Sequence, residues 1–150
     1  MKISSIHELE KISNKIKKKL KAGDVIFLYG EIGVGKTTFA RFLINNYEKE
    51  KKLKVSEVLS PTFNIVFEYD IKKLTIKHYD LYRLKNDNDI KNIGLFEDLE
   101  RTITLIEWPE LIKEKPSNRI DLFFEYSEDM NERSLNIKTS GRLKSYEFKL

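Results

Sequence analysis

Gly30-Glu31-Ile32-Gly33-Val34-Gly35-Lys36-Thr37 sets glycines, a lysine and a hydroxyl in the spacing G-x-x-x-x-G-K-[ST], the Walker A pattern. Each residue type has a physical task in holding phosphate. Glycines let the backbone bend closely enough for its N–H groups to converge on phosphate oxygens. Lys36, expected on a solvated loop, supplies a mobile positive charge to the terminal phosphates. The Thr37 hydroxyl can ligate a divalent cation, and a helix opening at Lys36 adds the positive end of its dipole. A glycine-rich turn could match by accident. The context argues otherwise, because the β-prone run Val25 to Tyr29 precedes the loop and a helical pattern with Phe39, Phe42 and Leu43 follows it.

Phosphate chemistry of this kind needs a carboxylate near the cation, at the end of a neighbouring apolar strand. Glu107 fits that Walker B geometry, following Thr102 to Ile106. Asp80, closing Leu74 to Tyr79, is a second candidate, although strand-end aspartates often cap turns. Ser60-Pro61-Thr62-Phe63 lies where nucleotide hydrolases carry a loop whose threonine senses the γ-phosphate; a plain proline turn is the alternative. Trp108 and His78 read first as packing residues, as a lone tryptophan or histidine on an apolar strand usually is. With two histidines and no cysteine, no zinc site can be built.

The elements that must position these residues alternate between helical and strand patterns. Ser5-Ile6-His7-Glu8 has capping-box spacing. Ile6, Leu9, Ile16 and Leu20 then fall near one helical face, widened by Ile12, with Gly23 as the expected C-cap. Val25 to Tyr29 is a strand covered on both faces. Asn64 to Asp70 and Leu74 to Asp80 read as a hairpin around Ile71-Lys72-Lys73. Asn86 to Glu100 is helical or irregular, interrupted at Gly94. Arg119 to Tyr126 and Arg133 to Thr139 alternate as strands expected at the sheet's far side. The fold class is α/β, three-layered, with a mixed, largely parallel central sheet, and residues 1–150 read as a single domain.

Of 150 residues, 40% are apolar and 35% charged, as in a globular protein with a charged surface. No apolar run approaches a membrane span, and Met1-Lys2-Ile3 turns polar at once, unlike a secretory leader; a cytoplasmic location is expected. The net charge of +4 sets 28 basic residues against 24 acidic ones. Runs such as Lys17-Lys18-Lys19 and Lys49 to Lys54 read as solvated surface, since charge runs alone identify no partner. No [NT]-K-x-D segment is present to read guanine, which favours ATP, and no L-S-G-G-Q element of transporter ATPases occurs.

Five motifs occur in order: the glycine loop through Arg41, Ser60-Pro-Thr-Phe63, His78-Tyr-Asp-Leu-Tyr-Arg-Leu84, Gly94-Leu-Phe-Glu97 and Leu105-Ile-Glu-Trp-Pro-Glu110. Together they resemble the TsaE (YjeE) family of bacterial ATPases over essentially the whole chain. The resemblance implies a P-loop NTPase fold and binding of ATP/ADP through Gly33, Val34, Gly35, Lys36, Thr37 and Thr38. It implies Mg2+ held by Thr37 and Glu107, with Lys36, Asp80, Glu107 and Thr62 as catalytic candidates. Asp80 would position water, and Thr62 would belong to a switch-like loop. Arg133 and the segment around Ser5 and Ile6 match family positions beside the nucleotide, though Leu9 stands where many relatives carry a threonine. The implied role is ATP hydrolysis, slow alone, in support of a two-subunit threonylcarbamoyl-transferase (TsaB and TsaD type). That complex forms threonylcarbamoyladenosine in tRNAs reading codons that start with adenine; contact with tRNA is expected to be indirect, and none with membrane. Arg83, three residues after Asp80, is expected to act in cis or to face the partner. Two other readings are a small-molecule kinase and a nucleotide-gated binding module.

Overall fold

The computed structural model describes residues 1–150. The strands are β1 (Lys2–Ile3), β2 (Val25–Tyr29), β3 (Val66–Ile71), β4 (Leu74–Asp80), β5 (Thr102–Glu107), β6 (Arg119–Tyr126) and β7 (Arg133–Ser140). The helices are α1 (Ile6–Lys17), α2 (Lys36–Glu50) and α3 (Asp87–Asn92). All seven strands form one mixed sheet in the order β1-β7-β6-β2-β5-β4-β3. Its central strands β6, β2, β5 and β4 run parallel, and both flanks are antiparallel. The expected position of Arg119 to Tyr126 at the far side is corrected: β6 pairs directly with β2, and β7 and then β1 lie outward of it.

The continuous apolar runs follow from burial of the sheet on both faces. Ile26, Leu28, Ile103, Leu105 and Leu122 join Leu9, Ile12, Phe39 and Leu43 in one core beneath α1 and α2. Val25, Phe27, Tyr79 and Ile106 face the opposite way, under Leu81, Leu95 and Ile112. The hairpin turns on Lys72 and Lys73, one residue shorter than expected, because Ile71 still pairs with Leu74. Lys72 takes the positive φ that such a two-residue turn demands.

α1 begins as its capping pattern dictates. The Ser5 hydroxyl accepts from Glu8 N–H at 3.2 Å, and the Glu8 carboxylate accepts from Ser4 N–H at 2.6 Å. Two expectations here need correction. Ile6 stands exposed rather than on the inner stripe, and the helix stops at Lys17, capped by Lys18, well before Gly23. Gly23 instead turns the chain into β2, its N–H donating to the Thr102 carbonyl at 2.7 Å. No helix is long and apolar enough to cross a membrane.

Candidate functional site

Parallel strands bring their carboxyl ends to one edge, where β2 delivers the glycine loop, β4 delivers Asp80 and β5 delivers Glu107. The loop is held tightly against β6. A Cβ at Gly30 would lie 2.6 Å from the Phe124 carbonyl oxygen and 2.8 Å from Val34 Cγ1. Gly35, at φ +124°, opens α2 with no side-chain cap, so the helix's positive end faces the loop uncovered. Val34 turns its side chain into the core, which leaves only its backbone available to a ligand.

Lys36 departs from expectation. Its side chain is buried, with 5% exposure, not solvated. The Nζ donates to the Gly30 carbonyl and, at 2.9 Å, to the Glu31 carbonyl, while resting 4.0 Å above the Trp108 ring. Burial lowers its pKa, opposed by the charges of Glu107, Glu110, Asp80 and Glu31. Trp108 thereby does more than pack. It adopts φ +58°, a left-handed backbone uncommon for a bulky residue, and its ring packs against Tyr82, tilted by 51° with centroids 4.8 Å apart.

Glu107 is buried and held by its neighbours. The Thr37 hydroxyl donates to Oε1 at 2.8 Å, with 3.1 Å to Oε2. His78 Nε2 lies 3.0 Å from Oε2. Asp80, opposite Glu107 in the strand register, accepts through Oδ2 from Ser60 at 2.5 Å and from Thr62 at 2.9 Å. Its Oδ1 takes the Tyr82 N–H at 2.9 Å. The Ser60-Pro61-Thr62-Phe63 loop is thus tied to the site rather than merely exposed. Arg83 secures the same loop from outside, donating to the Phe63 carbonyl at 2.9 Å with its guanidinium 5.4 Å from the Phe63 ring.

These groups line a cavity of about 310 Å³ that includes Gly33, Lys36, Thr37, Thr62, Asp80 and Glu107. A groove of about 280 Å³ shares Gly33, Gly35 and Thr38 with it and continues past Ile6, Leu9 and Arg133. All the candidate residues therefore line one or other of these two cavities. A larger cavity of about 520 Å³, between α3 and residues 111–114, contains none of them. Chemically, the smaller cavity offers what phosphate and a hard cation require: an ammonium, an uncapped helix N-terminus, and hydroxyl and carboxylate oxygens.

His78 is the residue that sequence reasoning undervalued. It is fully buried, and Nδ1 has no hydrogen-bond partner. The available signal was strand alternation, since His78 and Asp80 are two apart and share a face of β4.

Comparison with known proteins shows the family and the fold. A sequence model described as threonylcarbamoyl adenosine biosynthesis protein TsaE matches residues 3–135. The tRNA threonylcarbamoyladenosine biosynthesis protein TsaE of Rickettsia felis is 38% identical over 111 residues, covering 74% of this chain and 63% of its own. The protein of the same name from Bacillus subtilis is 32% identical over 124 residues, covering 81% and 73%. Matches to the Rickettsia felis and Rickettsia conorii relatives span 63% and 61% of those proteins. The crystal structure of Bacillus subtilis YdiB is similar with a TM-score of 0.73 and 27% identity, covering 96% of this chain and 86% of that one. The strand, glycine loop and helix sit within an α/β fold of the P-loop NTPase type, and the chain belongs to the TsaE family.

Proposed function

We propose that this chain binds ATP with Mg2+ and hydrolyses ATP in support of the complex that forms threonylcarbamoyladenosine in tRNA. The observation that carries this reading is the meeting of Lys36, Thr37, Asp80 and Glu107 around one cavity at the ends of β2, β4 and β5. The donor set suits the cofactor. Thr37 and Glu107 offer hard oxygen ligands, too few for a closed protein cage, as befits a cation that keeps water and shares phosphate oxygens.

Within this reading the chain's own groups divide the work. Lys36 exchanges the Gly30 and Glu31 carbonyls for phosphate oxygens, whose charge offsets its burial. Thr37 and Glu107 would hold the cation, with the Thr37 hydroxyl keeping its hydrogen bond to Glu107. Asp80, fixed by Ser60, Thr62 and Tyr82, orients the attacking water. Bound Mg2+ supplies positive charge against the phosphate oxygens where charge develops. His78 holds one Glu107 oxygen and so sets the direction of the other.

Turnover is slow alone and rises with the two-subunit threonylcarbamoyl-transferase of TsaB and TsaD type. Exposed Ile32, Phe63 and Tyr82 beside the cavity supply an apolar rim for such a partner. The test is phosphate release from Mg-ATP with no acceptor, with and without that pair. Acceptor-free release that the pair increases supports the proposal. Release that requires a small-molecule acceptor makes the chain a kinase instead, and nucleotide binding with no release in any arm makes it a nucleotide-gated binding module.

A further inference from the structure

The lysine runs of the sequence converge in the fold. The C-terminal ends of α1 and α2 lie side by side, where Lys17 pairs with Glu50 and the Tyr47 hydroxyl donates to the Lys17 carbonyl at 3.4 Å. Segment 144–150 meets the same end. Lys15 Nζ donates to the Lys149 carbonyl at 2.5 Å, and Lys19 Nζ lies 4.9 Å from the Tyr146 ring centre.

Segments 15–21, 49–54 and 144–150 hold eleven of the 28 basic residues but only two of the 24 acidic ones, so the rest of the chain is net acidic. Both carboxylates, Glu50 and Glu147, already pair with Lys17 and Lys149. Asp24 and Glu48, nearby in the chain, are buried and held by Arg142 and by Asn45 and Ser56. Burial, and then the charges of Lys51 and Lys18, lower the pKa of Lys17.

Lys15, Lys18, Lys19, Tyr146 and Lys149 line a groove of about 450 Å³ at this end. The 15 residues of α2 separate the face from Lys36, a span of about 20 Å. Exposed apolar side chains such as Ile32, Phe63, Tyr82 and Met130 lie elsewhere, and only Leu150 is among these segments, which leaves nothing to insert into a bilayer.

We propose that this lysine face binds the phosphate backbone of RNA at a site separate from the nucleotide cavity. The choice of RNA among polyanions rests on the proposed function, whose product lies in tRNA, and makes the contact with RNA direct where the family resemblance implied an indirect one. Contacts come from flexible ammonium groups on phosphate, so recognition is independent of sequence and sensitive to salt.

Fluorescence anisotropy of a labelled single-stranded RNA of about 20 nucleotides, titrated with the full chain at low salt, tests this. Wild type should bind, and binding should weaken steeply as salt rises. The combined Lys18→Gln, Lys19→Gln, Lys51→Gln and Lys149→Gln variant should bind at least about tenfold more weakly, with a log Kd against log salt slope shallower by about three. Its circular dichroism and ATP turnover should match wild type; Lys51→Gln alone, with a smaller loss, serves if the combined variant fails to fold. No binding by wild type, or equal binding by the variant, overturns the proposal. Preference for phosphatidylserine vesicles over RNA overturns it in favour of a membrane surface. Intact ATP turnover without RNA binding sinks this inference alone, whereas absent turnover sinks the proposed function and leaves the lysine result to stand separately.

Discussion

Asp80 and Glu107 are register partners at the ends of adjacent parallel strands, and one Ser60 hydroxyl reaches both carboxylates, at 2.5 Å and 3.4 Å. Two buried carboxylates this close repel unless donors or cations compensate. Here Thr37, Thr62, Ser60 and His78 surround them, with Lys36 across the cavity. The arrangement divides the pair into a Thr37-facing Glu107 and an Asp80 facing the Thr62 loop.

Glu107→Gln keeps the shape and removes the charge. Mg2+-dependent ATP turnover should fall by about 10² or more, the scale of losing one preorganised electrostatic group. Calorimetry should show nucleotide binding retained or tightened, because a negative charge near the phosphates is gone. Turnover equal to wild type would transfer the cation role to Asp80.

His78 hydrogen-bonds through Nε2 to Glu107 and is fully buried. His78→Leu should raise the Mg2+ concentration for half-maximal ADP binding by about tenfold, the cost expected for losing a group that orients a metal ligand. His78→Gln restores a donor near Nε2 and should recover much of the loss. If Leu and Gln variants behave alike, the histidine is only filling space.

The Leu59 to Phe63 segment is tied inward through Thr62 to Asp80 and outward through Phe63 to Arg83. Its hydrogen exchange should be slower with a non-hydrolysable ATP analogue than with ADP, as in loops ordered by a γ-phosphate. Arg83→Ala should speed exchange in both states. Identical protection with the two nucleotides would reduce the segment to a structural turn.

Burial pushes the phenols of Tyr29 and Tyr47 up to about 12, with Asp121 adding to the effect at Tyr29. A raised folded-state pKa means the native state holds protons that the unfolded state releases. Stability from these tyrosines is therefore complete below about pH 10 and is lost as pH rises toward 12. Urea midpoints should fall across that window, and Tyr47→Phe should flatten the fall.

Much of the fold was legible because periodicity carries burial: Val25 to Tyr29 and Thr102 to Ile106 read as doubly covered strands and are so. The end of α1 was not, because Leu20 is buried by tertiary packing beyond the helix, and Gly23 serves a turn. Spacing identified the loop and its two strand-end carboxylates. It could not reveal that Lys36 folds back onto Trp108, since that contact depends on the left-handed backbone at Trp108. Convergence of the lysine runs was likewise invisible, because it arises only when α1, α2 and segment 144–150 meet.

In the proposed function, Lys36 and a cation held by Thr37 act together on ATP phosphates. This joint action is tested most directly by measuring phosphate release from ATP with and without Mg2+ for wild type and Lys36→Met. Methionine fills the buried space above Trp108 without the charge, so the fold should survive. Wild type should release phosphate slowly and only with Mg2+, and Lys36→Met, with native circular dichroism, should lose that release by orders of magnitude. Release that ignores Mg2+, or a Lys36→Met protein as active as wild type, would contradict the account.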